Sequence, residues 1–318
     1  MLNEISHKSS GAATTDGRRQ HRLLPVYGLV GLAVMIAGEV LLFGGVAWVK
    51  QWFTPIMWTG YILVIDAVIR RRKGTSLLSD HPREFFFLAI ISIGSWTIFE
   101  GYNVLLKNWT YIGLPDNLFV RYAGYAWSFA TITPVMLVTY EVLDSILPGA
   151  GPGDSPRAPA ATPVRSAEFS SGSSRSPRLP NGVFYSFVVF GLASLIIPFI
   201  WPSIYMTPIV WVGFAFLLDP INGRLGERSF LSEFFTGRFR SMLIMFLAGL
   251  ICGILWEFWN YWATTKWQYD VPYMGHIKIF EMPVLGFLGF LPFAVESYAI
   301  YVFVRRLIPI KRTVRYLG

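Results

Sequence analysis

The sequence predicts an all-α fold: a polytopic transmembrane helical bundle of about eight spans, built as a parallel tandem repeat of two four-helix units. Two observations carry this expectation. The first is composition, with a mean hydropathy of +0.47, 53% hydrophobic residues and only 14% charged ones. A soluble domain of 318 residues cannot cover that much apolar surface. The second is self-similarity. Thr54-Pro55-x-x-Trp58-x-Gly60 recurs as Thr207-Pro208-x-x-Trp211-x-Gly213 at an offset of 153, and Asp66 recurs as Asp219 at the same offset. Phe99-Glu100-x-x-Asn103 returns as Trp256-Glu257-x-x-Asn260 at 157, and Trp109-x-Tyr111 as Trp267-x-Tyr269 at 158. Self-similarity spread over half a chain indicates duplication of one structural unit.

Apolar runs fall at 24–49, 52–69, 85–106, 119–146, 183–201, 205–221, 241–262 and 282–304. They approach the ~20 residues that cross a bilayer as helix. None shows the alternation of a membrane β-barrel strand. The second and sixth are short and should stand upright or sit in thinned lipid. Pro198, Pro202, Pro208, Pro283 and Pro292 should kink or end helices and open space between them.

Residues 1–22 are polar, lack the layout of a cleavable signal and read as a cytoplasmic tail. Residues 23–147 form the first repeat and 183–307 the second. Between them, 148–182 is rich in Pro, Gly, Ser, Ala and Arg and reads as a disordered cytoplasmic linker. Residues 308–318 form a second cytoplasmic tail. With four spans each, both halves enter the membrane from one side, and a pseudo-twofold axis should run along its normal.

The net charge of +8 is explained by orientation rather than by nucleic-acid affinity. Placing both termini inside puts 22 of the 27 basic residues on the inner side, leaving Lys50, Lys107, Arg121, Lys266 and Lys278 outside. The positive-inside rule thus gives a multi-pass protein of the cell membrane with cytoplasmic termini. Cys252 is single, so no intramolecular disulfide forms. His7, His21, His81 and His276 all lie outside the spans, which excludes bis-His haem in the membrane, and no Cys/His cluster offers a zinc site. There is no P-loop and no Gly-x-Ser-x-Gly elbow. No cofactor or metal is expected.

The residues able to carry chemistry are carboxylates inside the spans. Glu100 and Asn103, like Glu257 and Asn260, stand at i and i+3 and share a helix face. An ionisable group at that depth normally faces protein, and burial favours the neutral acid, which can donate a proton. The same pairs serve equally well as hydrogen-bonding staples between helices. Glu296 lies inside the last span beyond Pro292, Glu281 precedes that span and can reach the cavity of Glu257, and Glu39 lies in the first span. Asp66 and Asp219, next to Arg70–Arg72 and Arg224, read as interfacial ion pairs anchoring helix ends. Trp109, Tyr111, Trp267 and Tyr269 hold matched spacing beside the Glu-x-x-Asn helices. They can line an aromatic pocket for a cation or an apolar isoprenoid chain, or belong to the interfacial belt.

Trp256-Glu257-x-x-Asn260, Trp267-x-Tyr269-Asp270, Gly275 and Met282-Pro283 fall within about 50 residues of the second repeat that resemble the lycopene cyclase domain family and the related carotenoid hydratases, as the same part of the first repeat does more faintly. In the cyclase pattern acidic residues follow that proline; here Val284-Leu285-Gly286 follow it. The resemblance implies a membrane-embedded enzyme of isoprenoid or carotenoid biosynthesis. Glu257 and Asn260, with Glu100 and Asn103 as their counterparts, would be catalytic, Asn260 orienting Glu257. Trp109, Tyr111, Trp267, Tyr269, Glu281 and Glu296 would face substrate. Two readings stand at this point: an enzyme donating a proton to a lipid or isoprenoid, and a small-solute or lipid transporter, proton-coupled through the same carboxylates. A scaffold subunit is a third, blander one. The partners expected are the bilayer and a hydrophobic small molecule, with the oligomeric state open.

Overall fold

The computed structural model describes residues 24–147, 177–270 and 274–308; the two tails and most of the linker lie outside them. Eight helices long and apolar enough to cross a membrane dominate the described chain. This is an integral membrane protein of helical class, with no sheet barrel among the described residues. In order they are α1 (Val26–Phe43), α2 (Ala47–Lys73), the short α3 (Leu77–Asp80), α4 (Pro82–Leu106), strand β1 (Trp109–Ile112) and α5 (Leu118–Ile146). Then follow α6 (Asn181–Ile200), α7 (Thr207–Arg224), the short α8 (Phe230–Phe235), α9 (Arg240–Trp262), β2 (Lys266–Tyr269), β3 (Lys278–Ile279), β4 (Met282–Pro283) and α10 (Phe290–Leu307).

Three boundaries depart from expectation. The first apolar run is broken at Gly44-Gly45, where Gly45 takes a φ of 82° that side chains resist. The second span is therefore long: it starts at Ala47 and runs 27 residues, through Arg70–Lys73, to a left-handed cap at Gly74. The end of the linker is folded, with Leu179 buried and α6 beginning at Asn181.

The proline that distorts a helix is Pro55. It lacks an N–H and its ring crowds the preceding turn, so Trp52 leaves helical geometry (φ −108°, ψ 18°). The Lys50 carbonyl is taken by the Thr264 N–H at 2.9 Å. Pro208 instead sits in the first turn of α7 and Pro283 in β4, so neither kinks a span.

Helix pairs close through glycine, which lets backbones approach where lipid offers no hydrophobic drive between helices. A Cβ on Gly31 of α1 would press on the Gly60 carbonyl and Leu63 of α2, and one on Gly191 of α6 would press on the Gly213 carbonyl and Leu217 of α7. α1 and α6 pack chiefly on α2 and α7 and expose Ile36, Val40, Val189 and Phe199, as lipid-facing helices do. α5, α9 and α10 carry much of the interior, with Met136, Met245, Ala248, Cys252, Ala294 and Val295 buried. Chain connectivity puts α3 and α8 at one end of the bundle and the four short strands at the other.

Candidate functional site

Each Glu-x-x-Asn helix ends by gripping the strand that follows it. Asn103 Nδ2 donates to the Trp109 carbonyl at 2.9 Å, and its Oδ1 accepts the N–H groups of Asn108 and Trp109 at 2.9 and 3.0 Å. Asn260 does the same to Trp267, donating to its carbonyl at 2.8 Å and accepting its N–H at 3.0 Å. An amide satisfies both backbone groups at once, which a carboxylate cannot do. The expected role of Asn260 in orienting Glu257 is thereby corrected: both ends of its amide are engaged by Trp267.

Held this way, β1 and β2 pair antiparallel across the two halves of the chain, Trp109 opposite Tyr269 and Tyr111 opposite Trp267. Further bonds tie the sheet to the surrounding loops, Asp270 N–H to the Asn108 carbonyl at 2.8 Å and Thr265 Oγ1 to the Gly113 carbonyl at 2.6 Å.

The carboxylates lie behind these aromatic side chains. Glu100 Oε1 accepts from Tyr111 Oη at 2.5 Å, Trp96 Nε1 at 2.8 Å and Trp109 Nε1 at 3.2 Å. Glu257 is fully buried, its Oε1 accepts from Trp267 Nε1 at 3.2 Å, and the Tyr269 hydroxyl lies beside the same carboxyl. Its Oε2 has no hydrogen-bond partner among the described residues. Burial, and after it the Glu100 charge, raises the Tyr111 phenol well above its usual value. Burial and the Glu257 charge act alike on Tyr269. Both phenols are held as donors.

On the far side of the same aromatics lies a cavity of about 480 Å³, within the ~300–1,000 Å³ usual for small-molecule sites. Trp109, Tyr111, Trp267 and Tyr269 all line it. Glu100, Asn103, Glu257 and Asn260 do not; the tyrosine and tryptophan side chains stand between them and the space. Glu281 is outside the wall too, paired with Lys266 Nζ at 2.5 Å. Glu296 is remote from the sheet, fully buried in α10 and accepting the Phe214 N–H of α7 at 2.8 Å. Glu39 in α1 reaches the Trp259 indole.

The rest of the wall comes from residues with no expected site role. Thr54, Pro55 and Trp58 of α2 face Thr207, Pro208 and Trp211 of α7 in lining it, so the most faithfully repeated motif in the chain is a cavity motif. Trp211 stacks on Phe99 at 5.2 Å and meets Phe293 edge-on at 5.3 Å. Aromatic faces arranged in this way attract positive charge.

At the other end of the bundle, the expected ion pairs of Asp66 and Asp219 are absent among the described residues. Asp66 is fully buried and accepts Tyr27 Oη at 2.8 Å, Ser76 Oγ at 2.7 Å and the Leu78 N–H at 2.9 Å. Asp219 accepts Ser229 Oγ at 2.6 Å and the N–H groups of Phe230 and Leu231 at 2.9 Å. Each carboxylate thus caps the short helix beyond it. Arg70 turns instead to Asp80, and Arg224 to Asn181.

Set against known proteins, the chain matches no family model, no curated protein and no solved structure.

Proposed function

We propose that this protein is a membrane-embedded enzyme, built by duplication of a four-helix unit, that holds a hydrophobic isoprenoid-like substrate in the aromatic cavity and transfers a proton to it. The observation that carries the proposal is the bridge made by Tyr111 and Tyr269. Each lines the cavity and has a carboxyl behind it, Tyr111 donating to the half-buried Glu100 at 2.5 Å and Tyr269 standing with its hydroxyl beside the buried Glu257. For the step the neutral carboxyl donates its own O–H to the phenol oxygen, which frees the phenol O–H to turn to the cavity, pass its proton to an alkene carbon and regain one from the acid behind it. The carbocation formed lies among indole and phenyl faces that stabilise positive charge. Loss of a proton from that cation, or addition of water, completes an isomerisation, cyclisation or hydration.

Duplication is supported by the strand register. Under the 158-residue offset Trp109 maps to Trp267 and Tyr111 to Tyr269, so the pairs Trp109–Tyr269 and Tyr111–Trp267 exchange with one another. A twofold relation between the halves produces that pairing. The resemblance of the Trp256–Pro283 segment to carotenoid-modifying enzymes points the same way. The transporter reading is less favoured because so few charged residues, Arg121 and Lys266, line the space.

Lipid extracted from the purified protein and identified by mass spectrometry should contain a polyene or prenyl compound. Turnover of that compound should collapse in Tyr269→Phe and in Glu257→Gln while thermal stability stays within a few degrees of wild type. Full turnover in both variants would refute the mechanism.

A further inference from the structure

The wall of the cavity holds two cationic side chains, and only one of them is neutralised. Lys266 Nζ is paired with Glu281 at 2.5 Å. Arg121 of α5 lines the same space, and its Nε donates to the Pro115 carbonyl at 2.9 Å. Its two Nη groups find no carboxylate and no other acceptor among the described residues. Asp116, the nearest acid in sequence, is exposed and not paired with it. The position adds to the charge. Arg121 stands at the start of α5, whose first turn carries no acidic residue, and a helix start already presents partial positive charge. Two sources of positive charge thus meet at an apolar, aromatic space, and the chain supplies no anion there. Arg121 is half-buried rather than sealed in the core, as are Tyr125 and Ser128, which also line the cavity. The three stand at i, i+4 and i+7 and share one face of α5. In the second half, 158 residues on, Ile279 stands where the first half has Arg121. The charge is therefore not duplicated, and it gives the cavity one polar end.

A guanidinium held through its Nε, with its Nη hydrogens open, is a planar fork that binds a carboxylate or a phosphate through parallel hydrogen bonds. We propose that the cavity takes an amphiphile, a prenyl-type chain ending in an oxyanion, with the phosphate or carboxylate head held by Arg121 and the chain among the aromatic rings. This rests on the reading that the cavity binds a hydrophobic isoprenoid-like molecule, and adds which head group that molecule carries and where the head lies. Tyr125 stands one turn further along α5, where the Arg121 charge reaches it. Its hydroxyl, without a hydrogen-bond partner among the described residues, is a second donor for the oxyanion. The Tyr125 ring in turn meets the Tyr111 ring at 5.4 Å. The head end of the chain, not its far end, is thereby presented to the phenol that Glu100 backs. A hydrocarbon leaves the Arg121 charge without a counter-ion, and a cationic amphiphile is repelled by it.

The protein in phosphatidylcholine nanodiscs is incubated with geranylgeranyl phosphate, geranylgeranoic acid or geranylgeraniol, in a buffer alkaline enough to ionise both acids. After washing, the probe retained above that of empty nanodiscs is quantified by mass spectrometry. Wild type should retain at least one of the two anions about tenfold over the alcohol, as charge-assisted hydrogen bonds provide. The better retained anion identifies the head group. Arg121→Gln should bring it down to the level of the alcohol and leave alcohol retention unchanged, which also shows that the cavity is intact. Tyr125→Phe should cut anion retention a few-fold. Equal retention of the three probes by wild type, or preference for the alcohol, overturns the proposal while leaving hydrophobic binding standing. Retention of none of them removes both. An anion preference undiminished in Arg121→Gln overturns it, and loss of that preference in Lys266→Gln would then move the anion to Lys266. Inorganic phosphate competing as strongly as the prenyl phosphate overturns it in favour of a site for a free anion. If Arg121→Gln fails to fold, Tyr125→Phe and the wild-type comparison decide.

Discussion

Tyr111 donates its hydroxyl to Glu100 at 2.5 Å, across the boundary between the strand that lines the cavity and the helix behind it. The same carboxyl oxygen accepts two indole N–H groups, so three donors converge on one acceptor. Removing one donor leaves the carboxyl partly solvated by the other two. Removing the acceptor leaves three donors with nothing in reach.

Tyr111→Phe should therefore lower stability by about 1–2 kcal/mol, the worth of one hydrogen bond to an ionisable group. Glu100→Ala should lower it by more, about 3 kcal/mol, because buried donors lose their partner. Thermal unfolding in detergent checks the order. Equal losses in the two variants would mean that the indole N–H groups contribute nothing.

Alkaline titration tests the same bridge from the phenol side. The folded values of Tyr111 and Tyr269 lie above the unfolded value of about 10. A raised value means that their stabilising contribution is fully present below about pH 10 and is lost only as the pH climbs through the higher folded value. Of the 15 tyrosines, these two should form phenolate late, together with unfolding, when followed by ultraviolet absorbance. Replacing both with Phe should shrink that late phase by the absorbance of two phenolates, leaving the part due to other buried tyrosines such as Tyr140, Tyr298 and Tyr301. Titration of every phenol near pH 10 in a folded protein would contradict the buried bridge.

Much of this site is legible in the amino-acid sequence, and the reason is repetition. Residues kept at matched spacing twice (Trp109 with Tyr111, Trp267 with Tyr269, and the two Thr-Pro-x-x-Trp motifs) are the ones that line the cavity. Which of them meet is not legible. β1 and β2 are four residues each and pair over a separation of more than 150 residues, and neither carries a strand pattern long enough to recognise. A carboxylate in a span suggests a reacting group, which would set Glu100 and Glu257 on the cavity wall with the aromatics around them. Trp and Tyr have polar tips that seek a buried acceptor, and that reverses the order. Asp66 resembles an ion-pair partner because Arg70 is one helical turn away in sequence. With α2 continuing to Lys73, Asp66 is two turns inside the end and meets α3 instead. The sequence does hold a signal for this: Ser76-Leu77-Leu78-Ser79-Asp80 recurs as Ser229-Phe230-Leu231-Ser232-Glu233 at the same offset of 153 as the aspartates.

Asp219→Ala should be among the most destabilising single changes in the protein. It removes the acceptor of the Ser229 hydroxyl and of two backbone N–H groups in a site closed to water, a loss of about 3 kcal/mol or more. Asp219→Asn retains one oxygen and should lose roughly half as much. Asp66→Ala should behave like Asp219→Ala, since it also strips three donors of their acceptor. Melting temperatures of the four Ala and Asn variants at the two sites check this. Wild-type stability in Asp219→Ala would refute the capping role.

The orientation proposed from the basic residues decides which side of the membrane the cavity opens toward. Arg70–Lys73, Arg224, Arg228, Arg238, Arg240, Arg305 and Arg306 belong to the end of the bundle that holds α3 and α8, whereas the cavity borders the strands at the other end. If positive residues stay inside, the strands and the mouth of the cavity face outward. Asp116 lies in the exposed turn between β1 and α5, and Arg71 is exposed at the end of α2. Cys252, the single native thiol, is fully buried and should give little background. A membrane-impermeant maleimide applied to intact cells should then label Asp116→Cys. It should label Arg71→Cys only after permeabilisation. Labelling of both from outside would break the eight-span arrangement. The reverse pattern would keep the arrangement, turn the cavity to the cytoplasm, and require its substrate to arrive from the inner leaflet.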